Sequence, residues 1–304
     1  LDGADVTARA ELGDRAYETS GAPSGSPPGA RRHDAGAIGP LAVFGVAWRH
    51  RALIRTLAWR DVLQRYRGST FGLLWSLFHP LVMLGVFTFV FSQVFSARWG
   101  TEVESTADFG VVLFTGLVIF WMFSECVGRA PTLMLENPAY IKRVVFPLEI
   151  LPWVVVVSGL FHTAVNLVVL LAAVAWLSGG LTWTVLALPL VVAPIALLSL
   201  GACWFFSALG VYVRDVQQIM PVALTALLFL TPIFYPATAV PEAFRTLLAL
   251  NPLATAADQA REALIFGRPP AWEALGAALL GSWAVAWFGL AWFLRTRRGF
   301  ADVL

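Results

Sequence analysis

The sequence predicts an all-α, polytopic membrane protein: six transmembrane helices, an amino-terminal amphipathic interface helix, and short re-entrant helices before the last span. Three observations carry this. Hydrophobic residues make up 58% of the chain and charged residues only 13%, and mean hydropathy is +0.73, too apolar for a soluble domain of 304 residues. Six apolar segments, near 71–96, 109–127, 149–176, 184–210, 219–235 and 271–294, reach the roughly 20 residues a helix needs to cross hydrocarbon. The basic residues, finally, are shared unequally between the two sides these segments define.

Residues 1–40 hold Gly, Ala, Ser, Pro and scattered charge around SGAPSGSPPGARRHD and no apolar run, which predicts a disordered tail. Nothing before Leu41 supplies the apolar core of a signal peptide, so the first span is expected to act as the membrane signal. Residues 41–70 form the interface-helix region. Trp59, Val62, Leu63 and Tyr66 recur at helical spacing as one apolar stripe, with Arg60, Asp61, Gln64, Arg65 and Arg67 opposite. Upstream, Leu53, Ile54 and Leu57 make a second, rotated stripe, which predicts a bend near 56–58. Gly68 and Gly72 permit a tight turn, so the basic face is held at the mouth of the first span. Two readings of that face stand: an anchor on anionic lipid headgroups, or a phosphate receptor made by Arg60, Arg65 and Arg67 with Tyr66 beside them. Pro80, inside the first span, removes a helical hydrogen bond and opposes the Ser76 carbonyl, so a kink is expected.

Placing the amino end in the cytoplasm puts ten arginines before the first span, then Arg129, Lys142, Arg143, Arg214, Arg295, Arg297 and Arg298 on that side, against Arg98, Arg245, Arg261 and Arg268 on the other. By the positive-inside rule both termini are expected to be cytoplasmic. In the loop 128–147, Pro131 suits a helix start and Asn137-Pro138 breaks it before a second short helix. Residues 236–270 hold two short helical patterns divided by Asn251-Pro252, one with Phe244, Leu247 and Leu248 on its apolar face, the other with Ala260, Leu264 and Ile265. Such helices are re-entrant if protein shields their ends; otherwise they form a cap on the membrane surface.

Several chemistries find no support. The only lysine is Lys142, preceded by Ile141, so the Gly-Lys pair of a phosphate-cradling P-loop is missing. At depth only His79, His162 and Asn166 offer polarity, a poor basis for ion coupling; His162 and Asn166, four residues apart, suit a hydrogen bond between helices better than a ligand site. Cys126 and Cys203 support neither a disulfide framework nor a metal site, and no catalytic constellation or metal centre is expected. No half repeats the other, so the inverted-repeat transporter layout is unsupported. Trp99, Trp183, Trp272 and Trp292 read as interfacial anchors. Trp75, Phe78, Phe87 and Phe91 on the first span, with Phe229, Phe234 and Tyr235 on the fifth, either line a channel where ring faces meet sugar C–H faces or pack between helices.

The stretch RDVLQRYRGSTFGLLWSLFHPLVMLGVFTFVFS, followed in order by RAPTLMLENPAYIKRVVFPLEILP, LGVYVRDVQQIMP, LTPIFYP, NPLATAADQAREALIFG and RTRRGFADVL, resembles the type-2 ABC exporter permeases of polysaccharides and teichoic acids, most of all those for O-antigen (lipopolysaccharide). The resemblance covers about residues 45–304. It implies a homodimer of six-span subunits in a bacterial inner membrane, paired with two copies of a cytoplasmic ATP-binding subunit that carries ATP and magnesium. This chain would bind no cofactor and no nucleic acid. A channel between the subunits would pass a lipid-pyrophosphate-linked glycan. The resemblance further implies a coupling element in 128–147, with Leu133, Met134 and Leu135 in a groove on the ATPase and Glu136 as a polar contact, and an outer gate in 236–270 with Phe244, Leu247 and Leu264. An ordinary basic loop explains Lys142 and Arg143 equally well. Rival readings are a permease for teichoic acid or capsular glycan, a membrane-embedded glycosyl or phosphate transferase, which needs acidic or histidine clusters at the surface, and a passive channel or scaffold, which needs no coupling loop.

Overall fold

Long runs of Leu, Val, Ala and Phe leave the backbone no polar partner but itself, so each segment satisfies its own N–H and C=O groups by coiling. In the computed structural model, which describes residues 39, 41–91, 106–141 and 146–303, the described residues contain helices and no strand. In chain order the helices are α1 (Ala42–Arg49), α2 (Arg51–Tyr66), α3 (Trp75–Phe89), α4 (Thr106–Arg129), α5 (Pro138–Ile141), α6 (Leu151–Ser178), α7 (Leu188–Tyr212), α8 (Val216–Leu230), α9 (Glu242–Ala249), α10 (Pro252–Leu264), α11 (Trp272–Thr296) and α12 (Phe300–Val303). The expected tail up to Ile38, the end of the first span at 92–96, Arg98, Trp99, Lys142, Arg143 and the side chain of Leu247 lie outside what the structure describes.

Helix α4 is the axis of the bundle. It packs on α3, α6, α7 and α10, and Phe114, Leu117, Val118 and Met122 on it are buried in the main core. Helices α7 and α11 form the most extensive pair. They meet at Gly201 and Gly289, where a Cβ on either residue would collide with the other helix's backbone; small residues let apolar helices approach this closely.

Among the described residues, five helical segments are long and apolar enough to cross a membrane: Gly72–Phe89, Phe109–Thr132, Leu148–Leu177, Trp183–Tyr212 and Trp272–Gly299. The sixth expected span, 219–235, is shorter than the sequence suggested. Helix α8 has 15 residues, about 22 Å at the helical rise, against roughly 30 Å of hydrocarbon. It stops because Pro232 biases the preceding residue away from helical geometry, and Thr231 is extended, with φ −96° and ψ 133°.

One expectation for the interface region, the place of the bend, needs correction. The chain bends at His50, between α1 and α2, and α2 runs unbroken through 56–58. The buried face of α2 is Ile54, Ala58 and Val62, while Trp59 and Leu63 of the expected stripe are exposed. After α2, Gly68 and Gly72 take the left-handed conformation, with φ 87° and 51°, which an L side chain adopts only with strain. This turn carries the chain from α2 into α3. Pro80 is buried inside α3, whose helix continues past it to Phe89.

Candidate functional site

The site grows from the face of α2 that its apolar spacing turns toward α6. Asp61 and Arg65 follow Ile54 on that face at i+7 and i+11, so these two charges point inward, not to the outer basic side where the sequence pattern placed them. Each meets a countercharge from the end of α4. Arg129 donates to both Asp61 oxygens at 2.9 and 2.7 Å. Arg65 Nη2 lies 2.6 Å from Glu125 Oε1. Burial alone would raise the Asp61 pKa, but hydrogen bonds and charge from Arg129 outweigh it and hold the carboxyl below its ordinary value.

A third group completes the Arg65 cluster. His162 Nδ1, from α6, lies 2.9 Å from the same Glu125 oxygen and 3.1 Å from Arg65 Nη1. A carboxylate only accepts, so with Nδ1 donating to Glu125 the approach of Arg65 Nη1 to the same nitrogen is a close contact of two donors and not a hydrogen bond. Nε2 of the same ring is buried and has no hydrogen-bond partner.

These groups form one wall of a cavity of about 530 Å³ at the junction of α2, α3, α4 and α6. Trp75, Ser76 and His79 at the start of α3 form another part, with Trp121 and Ser124 of α4 and Asn166 of α6 closing it. Tyr66 reaches the cavity from the end of α2, and burial pushes its phenol pKa up, so it remains a neutral donor and acceptor. Of the residues expected to receive substrate, Arg65 and Tyr66 thus share a cavity, with Trp75 from the expected channel wall. Arg60 points elsewhere: its Nη2 donates to Tyr140 Oη at 2.8 Å, across a second cavity of about 220 Å³ between α2 and the 133–140 segment. Arg67 is exposed just past α2.

The other expected channel residues divide into two groups. Phe78 is exposed and meets Trp75 edge to face. At the far end of α3, Phe87 packs near Phe91, Phe91 stacks on Phe234, and Phe234 neighbours Phe229. Tyr235 donates to the Phe229 carbonyl at 2.8 Å. Trp183 and Trp272 are exposed, whereas Trp292, expected to be an anchor like them, packs on Phe205.

In the expected coupling loop, the helical break at Asn137 and the short α5 after it are present. Leu133 and Met134, however, are buried within the chain itself, so they hold the loop down and are not free to fill a partner's groove. Leu133 lines the second cavity together with Leu57 of α2 and Leu151 of α6. Leu135 is half-buried, and Glu136, Pro138 and Ala139 are exposed.

In the expected gate region, Phe244 on α9 is exposed. Leu264 is buried, because α10 is inserted among α4, α7 and α11 with both ends shielded by protein. At its start, Asn251 accepts from the Leu253 N–H at 3.0 Å as an N-cap and donates to Thr231 Oγ1 at 3.1 Å.

Sequence reading missed what holds this end together. Arg261, counted only as one of the outer charges, is 2% exposed. It donates to the carbonyls of Pro232 at 3.0 Å, Ile233 at 3.1 Å and Val112 at 3.2 Å, and pairs with Asp258 at 2.8 Å. Gly116 leaves room for its guanidinium. The only sequence signal was an arginine on the apolar face of a short helix, three residues after an aspartate. Among the described residues no group of three or more His, Cys, Asp or Glu is placed to hold a metal ion.

A model of the ABC-2 type transporter family matches residues 52–265. The O-antigen export system permease protein RfbA of Myxococcus xanthus is 29% identical over 257 residues, which cover 84% of this chain and 96% of that protein. A protein of the same name from Klebsiella pneumoniae is 25% identical over 81% of this chain and 92% of its own length. The polysialic acid transport protein KpsM of Escherichia coli is 24% identical over 71% of this chain and 83% of its own.

Proposed function

The chain belongs to the ABC-2 type transporter family, and we propose that it is the permease subunit of an ATP-driven exporter of a lipid-pyrophosphate-linked polysaccharide, of the O-antigen type, in a bacterial inner membrane. The observation that carries this reading is the alignment to polysaccharide export permeases over most of both chains. Two such subunits form the channel, and two copies of a separate cytoplasmic ATPase drive it. Apolar side chains on α3 and α8, among them Phe78, Leu81, Val222 and Phe229, are exposed; this supports a second copy or lipid against those helices. Both termini are cytoplasmic, which fits the gathering of Arg60, Arg65, Arg129 and Arg297 at one end of the bundle. The ATPase meets that end at the exposed ridge of Glu136, Pro138 and Ala139.

The test is reconstitution in vesicles. Alone, the chain hydrolyses no ATP; with its ATPase partner it hydrolyses ATP and moves the lipid-linked polysaccharide across the bilayer. Movement without ATP, or robust hydrolysis by the isolated chain, contradicts the reading.

A further inference from the structure

We propose that the cavity beneath α2 is a binding site for the diphosphate of a lipid-linked substrate and that Glu125 is its latch, a carboxylate that holds Arg65 until the diphosphate displaces it. This rests on the exporter reading, which already names a lipid-linked diphosphate, and adds to it the cavity that meets this group and the residue that regulates its binding.

The geometry of the cluster is that of an exchangeable pair. Arg65 is 38% exposed at its side chain and lines the cavity, so its guanidinium is paired without being sealed. Arg65 and His162 both crowd Oε1 of Glu125, at 2.6 and 2.9 Å. An oxygen served by two donors can release one and stay paired. When Arg65 leaves, His162 remains on the carboxylate, so Glu125 keeps a hydrogen-bond donor in its half-buried place. Arg65 in turn exchanges a single carboxylate oxygen for a phosphate, whose oxygens a guanidinium can meet with two N–H donors at once.

The surroundings suit a phosphoryl group on an apolar carrier. Ser124 and Asn166 bring hydroxyl and amide hydrogens to the wall, and Trp75 and Trp121 bring apolar ring surface. The volume of about 530 Å³ falls within the range of sites for small molecules. It suits a diphosphate with its immediate neighbours, not a polymer. A plain anchor for bilayer phosphate is the poorer account, because a carboxylate beside the anchoring arginine opposes every anionic headgroup without serving any step.

The experiment measures farnesyl diphosphate binding to the full chain with its ATPase partner, in phosphatidylcholine nanodiscs and again with phosphatidylglycerol added. Farnesol and inorganic pyrophosphate serve as companions. The parent binds farnesyl diphosphate, and E125Q binds it about tenfold more tightly because the competing charge is gone. R65Q binds at least tenfold more weakly than the parent, and R65Q/E125Q stays at the R65Q level, since a latch without Arg65 has nothing to hold. If E125Q does not assemble, E125D, which withdraws the carboxylate by one methylene, binds several-fold more tightly than the parent. Parent binding with no gain in E125Q or E125D overturns the latch. Absent binding in all variants, or binding lost once phosphatidylglycerol is present, overturns the diphosphate site and makes the cavity a place for bilayer headgroups. Neither result touches the exporter reading, which fails only if ATP-driven movement of polysaccharide fails.

Discussion

Two arginines in this protein occupy opposite kinds of place. Arg261, between α10 and the break after α8, donates to three backbone carbonyls and an aspartate and is 2% exposed. Arg65, between α2 and α4, has one carboxylate oxygen that it shares with His162, and it faces a cavity. The first is saturated, and every partner belongs to the fold. The second is paired only enough to be kept in position. A buried arginine surrounded by backbone carbonyls holds architecture together, whereas one held by an exchangeable carboxylate beside open space is equipped to meet a ligand.

The largest expected effect comes from unmaking the saturated site. R261Q leaves the carbonyls of Val112, Pro232 and Ile233 without their donors and Asp258 without its countercharge. It is expected to cost about 3 kcal/mol or more, since each buried carbonyl left unsatisfied costs about 1–3 kcal/mol, and to deplete the protein from membranes. Thermal melting in detergent measures it; an R261Q protein that melts like the parent breaks the comparison at its firmer end.

N251A tests the same end more gently. It removes the N-cap of α10 and the donor to Thr231, and about 1 kcal/mol of stability should go with it. A G-for-N change, which keeps cap-compatible backbone geometry, should recover part of that loss.

The smallest effect belongs to the charged end outside the cavity. Asp61 and Arg129 are partly exposed, at 23% and 34% of their side chains, so D61N should cost below about 1 kcal/mol after solvent screening. Its pH dependence sharpens the test. The folded-state pKa of Asp61 is lowered, so its contribution is complete above the ordinary carboxylate value and lost as pH falls through the lowered one. Melting curves of parent and D61N should therefore converge on acidification and stay apart at neutral pH; a gap that persists in acid contradicts the assignment.

The sequence made some of this legible and hid the rest for physical reasons. Apolar length placed the five long helices, and Asn251-Pro252 divided the two short ones as it should. The shortened α8 was harder to see, since 219–235 is apolar throughout and only Thr231-Pro232 marks the break. On α2, hydrophobic periodicity marked the stripe of Trp59 and Leu63, which is exposed, but not the face turned into the protein, where Arg129 grips both oxygens of Asp61 and Glu125 holds Arg65 through one oxygen. Periodicity cannot report partners 68 and 60 residues away. Arg65, Tyr66 and Trp75 are singled out by the sequence and line one cavity, yet of Glu125 and His162, which give that cavity its character, only His162 stands out in the sequence, as a contact between helices. Arg261 was invisible because its partners are backbone carbonyls, which any residue supplies.

The difference between the two arginines is tested most directly by export per molecule: polysaccharide at the cell surface divided by permease in the membrane, in a strain whose only copy is the variant. Lysine at each position keeps the charge and removes the planar fork. R65K is expected to reach parental levels in the membrane and to export about tenfold less per molecule, because a point charge does not reproduce two-pronged phosphate binding. R261K is expected to deplete the protein while the molecules that remain export at the parental rate. An R65K permease that exports as much per molecule as the parent would contradict the account and reduce Arg65 to a second structural arginine.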